Sequence, residues 1–258
     1  MNEKMVHPLE GKKVRFVANA KDKKNADGMC GHLEIVGETQ IRTGVYDAFV
    51  KRLLDVVCAS VGAIVILPLY LLICVGIKCC DRGPVHFSQK RIGRNKRYFY
   101  LYKFRTMKVS TPHDVPTHML KNPEQYITPV GKLLRKFSLD ELPQIWNVLR
   151  GDMSFIGPRP ALWNQDDLVA ERDKYGANDV LPGLTGWAQI NGRDELEIPV
   201  KAKLDGEYVE KMSFLFDCKC FFGTVLSVLK SDGVVEGGTG EIHRAEEEKE
   251  KEKQTENS

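Results

Sequence analysis

Residues 56–77 contain no charged side chain, and an apolar helix of that length is long enough to cross a bilayer. Nothing else in the chain restricts its fold as severely, because such a run must be placed in lipid or in a core. On hydropathy alone it reads as a transmembrane span. Two details resist that reading. Pro68 sits in the middle of the run, where it removes a helix hydrogen bond and kinks the axis. Both flanks are basic, with Lys51 and Arg52 before the run and Lys78 and Arg82 after it, so the positive-inside rule opposes sending either end across. A Pro-kinked helix that dips into one leaflet and returns accommodates both flanks.

The net charge is only +3, but residues 82–113 hold nine Lys or Arg residues and no acid. A block of this kind implies a partly anionic partner: nucleic acid, a phosphorylated ligand or lipid headgroups. Within it, residues 85–91 and 97–107 read as strands around a turn at 93–96, a β-hairpin with Tyr98, Tyr100, Tyr102 and Phe104 on one face. That aromatic face serves as core, with solvated cations opposite, or the hairpin lies beside headgroups. A nucleic-acid binder has no use for the segment 56–77. Seven cysteines without CxxC spacing argue against a zinc framework or a disulfide scaffold and fit a reducing compartment.

Further on, Thr128-Pro129 is a helix-start pair. Val130, Leu133, Leu134 and Phe137 follow at helical spacing, then Leu142, Ile145, Trp146 and Leu149 until Gly151 stops the pattern. Asp140 and Glu141 fall at or just before the start of the second helix, whose exact first residue Pro143 leaves open. Ser138 and Glu141 match a capping box, which is the plain structural reading. The chemical reading rests on the neighbours, Arg135 one turn back and Arg159 between Pro158 and Pro160. A helix start gathers phosphate oxygens, and an ionised carboxylate beside cations suits attack on phosphorus.

Elsewhere, residues 161–175 read as an acidic surface helix and 197–212 as a charged helix. Residues 214–229 read as an interfacial or core helix, apolar but interrupted by Asp217 and Lys219. Residues 110–125 form a loop placed to close over a substrate, residues 1–45 a polar extension with a short β-rich flap, and 236–258 a charged disordered tail.

Six motifs stand in one order: Lys90-Arg91-Ile92-Gly93, Tyr102-Lys103-Phe104-Arg105-Thr106-Met107, the stretch 138–144, Gly151-Asp152-Met153-Ser154, Gly157-Pro158-Arg159-Pro160, and Leu181-Pro182-Gly183-Leu184-Thr185-Gly186. The series, spanning about residues 46–230, resembles the bacterial sugar transferase family, the monotopic phosphoglycosyl transferases. The resemblance implies an α+β, membrane-monotopic protein with a re-entrant helix in 46–82 and a small catalytic domain in 83–235, carrying a β-hairpin and amphipathic interfacial helices. That family commonly has Ser before the proline of the re-entrant helix; here the residue is Leu67. The implied activity transfers a sugar 1-phosphate from a UDP-sugar to polyprenyl phosphate with release of UMP, the first membrane step of a surface polysaccharide or glycoconjugate pathway. Asp140 is the implied nucleophile and Glu141, with Asp140, the implied magnesium ligand. Arg135 and Arg159 would clamp the diphosphate, with Arg105 and Arg193 as further cations. The implied setting is the bacterial cell membrane, with the catalytic domain on its cytoplasmic face and room for a homo-oligomer. The rival is a non-enzymatic membrane-surface protein that binds anionic lipid through the hairpin.

Overall fold

The structure, a computed structural model, describes residues 7–19, 21–22, 30–39, 44–111, 123–192 and 196–230. The expected tail and most of the expected closing loop lie outside these residues. The first half comprises β1 (Lys12–Ala18), β2 (Gly31–Glu38), α1 (Lys51–Cys80), β3 (His86–Ile92), β4 (Tyr98–Phe104), α2 (Pro129–Lys136) and α3 (Ile145–Arg150). The second comprises β5 (Ser154–Ile156), β6 (Ala161–Leu162), α4 (Asp166–Asp173), β7 (Gly183–Thr185), α5 (Trp187–Ile190), α6 (Ile198–Lys211) and α7 (Phe214–Lys230).

The uncharged run forms the body of α1, which at 1.5 Å per residue is about 45 Å long. Pro68 lies inside α1, and the helix does not end there. One stripe of α1 is buried, comprising Lys51, Asp55, Ala59, Ile73 and Ile77. Its other face is apolar and exposed, through Val57, Ile64, Val65, Leu72 and Val75. Apolar side chains occur all round α1, so hydrophobicity alone does not choose the packed stripe; small residues do. Gly62 and Gly76 let neighbours approach until an added Cβ would stand 3.3 Å from Ile145 and 3.9 Å from Val130.

The packed stripe lies along the β3–β4 hairpin, whose antiparallel register pairs Ser88 with Tyr102. Ala59 joins Phe99, Leu101, Val148 and Met153 in one core cluster, and Ile73 and Ile77 join Phe104 and Leu134 in another. This corrects the expected aromatic face. Phe99 and Leu101 are buried on the opposite parity, Tyr100 is 46% exposed, and of the four expected aromatics only Phe104 is fully enclosed.

Both ends of α1 are tied to the same body by polar contacts. Asp217 of α7 accepts hydrogen bonds from Lys51 Nζ (2.5 Å), Tyr46 OH (2.8 Å) and Tyr208 OH (2.8 Å). Arg52 donates to the carbonyls of Val148 and Leu149. At the far end Arg105 donates to the Asp81 carbonyl.

The ribbon β1–β2 packs on α4, with Val14 against Leu168 and Val169. That contact overturns the surface reading of this helix, since Leu168, Val169 and Ala170 are all buried. The hairpin tip supplies the bolt. Asn95 and Lys96 take positive φ values of 54° and 62°. Lys96, with no exposed surface, reaches Asp173 Oδ1 (2.9 Å) and the Lys12 carbonyl (2.5 Å). Asp173 also accepts from the Val14 amide and from Asn178.

Candidate active site

Thr128 caps α2 through the Gly131 amide (2.9 Å), with Pro129 at the first helical position. At the end of α2, Ser138 adopts a left-handed conformation (φ 53°, ψ 24°) and its side chain makes no capping bond. The capping-box reading therefore fails at its first residue. The chain winds next into a 3-10 turn, Leu139–Gln144, rather than directly into the expected helix; Pro143 fits that turn, and α3 begins at Ile145. Gly151 then ends α3 in the left-handed region (φ 88°).

The turn has two sides. Leu139 and Leu142 pack with Ile73 and Ile77 of α1. Asp140 and Glu141 face β4, where Lys103 shares the inward parity of Phe99 and Leu101. Lys103 Nζ lies 2.8 Å from Glu141 Oε1 and 3.7 Å from Asp140 Oδ2. Arg159 NH2 approaches the same Glu141 oxygen at 3.4 Å. Because α2 and α3 touch α1 at Gly76 and Gly62, the acidic turn between them rests beside the middle of the apolar helix.

Backbone packing fixes the mounts. Asn147, fully buried, donates to the Tyr100 carbonyl (2.7 Å) and accepts from the Tyr102 amide (3.1 Å), which ties α3 to the edge of β4 just ahead of Lys103. For Arg159, the Gly157 amide donates to Thr185 (2.8 Å) and the Gly183 amide to Pro158 (2.9 Å). A Cβ on Gly183 or Gly186 would run into the Gly157 backbone. Pro158 and Pro160 stiffen what remains.

Burial pushes the Glu141 pKa up, but the charges of Lys103 and Arg159 outweigh it and hold the group at about 2. Asp140 lies deeper, 3% exposed.

The expected cations divide. Arg159 stands at the acidic pair. Arg135 donates Nε to Thr106 Oγ1 (2.9 Å). Arg105 lies past the end of β4, and its side chain turns to Asp81 at the end of α1, bonding the carbonyl and lying 3.7 Å from the carboxylate. Arg193 lies outside the described residues. Lys103 and Asn147 were not singled out from sequence, and the apolar side chains on both parities of β4 give no signal for the first.

The resemblance implies magnesium, and the donor set can be tested against it. Among the described residues no group of three or more His, Cys, Asp or Glu side chains could hold a metal. Asp140 and Glu141 offer hard oxygens, which fits an ion completed by substrate phosphates and water rather than a cage made by protein alone.

A family model described as "Bacterial sugar transferase" matches residues 46–231. The uncharacterized sugar transferase EpsL of Bacillus subtilis is 45% identical over 59% of this chain and 73% of its own. The exopolysaccharide production protein ExoY of Rhizobium meliloti is 36% identical over 71% of this chain and 87% of its own. The UDP-glucose:undecaprenyl-phosphate glucose-1-phosphate transferase of Escherichia coli is 39% identical over 68% of this chain, which spans 39% of that protein.

Proposed function

Because the chain belongs to the bacterial sugar transferase family, we propose that it moves a sugar 1-phosphate from a UDP-sugar to polyprenyl phosphate in exopolysaccharide synthesis. It is a phosphoglycosyl transferase, and the relatives named for undecaprenyl phosphate indicate the class of acceptor. The observation that carries the reading is the acidic turn itself: two carboxylates, opposed by Lys103 and Arg159, set against the flank of a long apolar helix.

In the proposed route Asp140 attacks the phosphorus bonded to the sugar, and the bond to the bridging oxygen breaks to release UMP. An oxygen of the lipid phosphate then attacks the resulting mixed anhydride, which returns the carboxylate of Asp140 and yields polyprenyl-diphosphate-sugar. The two clamping cations keep Glu141 ionised and hold it in place, and the attacking acid in this reading is Asp140, 3.7 Å from Lys103. Burial of Asp140 shields the anhydride from water. Arg159, on its stiff support, is suited to grip diphosphate oxygens as charge shifts to UMP, and Lys103 adds a second cation beside both acids. Magnesium, held by Glu141 and Asp140, would neutralise charge on the diphosphate when bound.

For topology, we infer that α1 enters one leaflet without crossing and that the catalytic body faces the cytoplasm. Support for the first comes from the contacts of Lys51 and Arg52 at one end and Asp81 at the other with one and the same body, and for the second from the basic residues on both flanks of the apolar run.

The test is UMP release from a panel of UDP-sugars with and without undecaprenyl phosphate, coupled to trapping with radiolabelled donor. Label on the peptide containing Asp140 is expected. Product formation with no label there overturns the covalent route.

A further inference from the structure

The two short helices around the acidic turn leave large apolar side chains in the open. Leu133 on α2 and Phe137 just past its end stand one turn apart, 56% and 57% exposed, while Val130 and Leu134 of the same helix pack towards α1. Trp146 on α3 is 46% exposed, while the preceding Ile145 packs at Gly62 of α1. Phe137 is three residues before Asp140 and Trp146 five residues after Glu141. From sequence, all three belong to the apolar stripes of amphipathic helices and would fill a core. Keeping such side chains in water forfeits the gain from burial, and contiguous exposed apolar surface marks a binding face.

We propose that Phe137 and Trp146, with Leu133 behind, form the acceptor-specificity site: they grip the first isoprene units of the lipid phosphate attacking at Asp140. This rests on the transferase reading above and names which residues recognise the second substrate. The occupant follows from continuity. The patch lies on the two helices that precede and follow the acidic turn in the chain, and both helices pack on α1, at Gly76 and Gly62, whose other face is apolar and exposed. An acceptor whose phosphate reaches Asp140 therefore leads its chain over these side chains to enter lipid. A flat indole and a phenyl ring suit a branched, unsaturated chain, which offers methyl groups and flat double bonds to an aromatic face.

The experiment uses the full chain in micelles and separates the two half-reactions in Phe137→Ser, Trp146→Ser and Trp146→Phe. Because both side chains are about half exposed, replacement should cost little stability, which the melting temperature of each variant checks. With labelled UDP-sugar alone, adduct on Asp140 should form at wild-type yield in all three. Discharge by geranyl or undecaprenyl phosphate should need roughly tenfold more acceptor in either Ser variant, the scale of one lost apolar contact. Trp146→Phe should recover most of that loss. The preference for geranyl over dodecyl phosphate should shrink in the Ser variants, and flotation with anionic vesicles should not change.

An unchanged acceptor KM overturns the proposal, and so does a loss that falls equally on dodecyl phosphate. A loss that tracks release from vesicles assigns the patch to membrane seating instead. If wild type turns over without any adduct, the covalent route fails, and steady-state KM for the same acceptors still decides the patch.

Discussion

The β3–β4 hairpin carries a fully buried lysine at its tip and a partly exposed one near its far end, and the two are placed to opposite purposes. Lys96 has no exposed surface and is closed in by Asp173 and the Lys12 carbonyl; the same carboxylate also takes the Val14 amide and Asn178. Lys103 faces Glu141 and Asp140, and both it and Glu141 keep 17% of their side-chain surface open. A sealed pair with its hydrogen bonds filled locks one conformation and offers nothing to a ligand. The half-open pair keeps charge where a ligand can exchange partners with it. Burial of an ion pair does not itself mark a site. What distinguishes the second pair is the surface left open and a second cation, Arg159, aimed at the same oxygen.

The largest effect should come from the acid beside Lys103. Asp140→Asn should reduce turnover to background and abolish labelling by donor, because an amide does not serve as this nucleophile. Wild-type-like UMP release from the purified variant would remove Asp140 from the chemistry. Next come the two lysines, replaced in parallel. Lys103→Met should slow the reaction roughly a hundredfold, the usual scale for losing one charge-stabilising donor, with a small change in melting temperature. Lys96→Met should do the reverse, costing about 3–5 kcal/mol of stability by stranding a buried carboxylate while the rate per folded molecule holds. Equal losses of rate in the two variants would erase the distinction between bolt and site. Arg159→Lys should raise donor KM about tenfold, since an ammonium does not reproduce the planar two-point contact of a guanidinium. An unchanged donor KM would leave Lys103 as the sole cation of consequence.

Much of this was legible beforehand where chemistry is local. Thr128-Pro129 and Gly151 mark the ends of the α2–α3 unit because a cap and a left-handed glycine need only their own residues. The uncharged run gave α1 for the same reason. The inward face of β4 was not legible: Tyr98, Phe99, Tyr100, Leu101, Tyr102 and Phe104 place apolar side chains on both parities, so alternation carries no signal. Lys103 therefore stayed a generic cation, while Arg105, two positions on and past the strand's end at Phe104, lies against Asp81. The 3-10 turn escaped because Ser138 imitates a cap in sequence while its backbone is left-handed. The ribbon's bolt was invisible because Lys96, Asp173 and Asn178 meet only after the fold has formed.

The smallest effect sets the two ends of the hairpin against each other in acid. His7, packed at a tilt against Tyr98 near the tip, has its pKa lowered from 6.5 to about 4, chiefly by burial and then by the charges of Lys96 and Lys90. A lowered histidine pKa favours the neutral form in the fold, so its contribution is complete above pH 6.5 and declines as pH falls to about 4. Glu141, lowered from 4.5 to about 2, contributes fully above pH 4.5 and loses that contribution as pH falls to about 2. The windows barely overlap. Amide hydrogen exchange followed from pH 7 downwards should show β1 and β2 losing protection first, between about pH 6.5 and 4, while Glu141 and its neighbours stay protected until below pH 4.5. His7→Asn should flatten the first phase alone and Glu141→Gln the second alone. A single transition with both ends opening together would mean that the ribbon and the acidic turn form one cooperative unit, and the contrast between a sealed lysine and an open one would then have no bearing on how the protein comes apart.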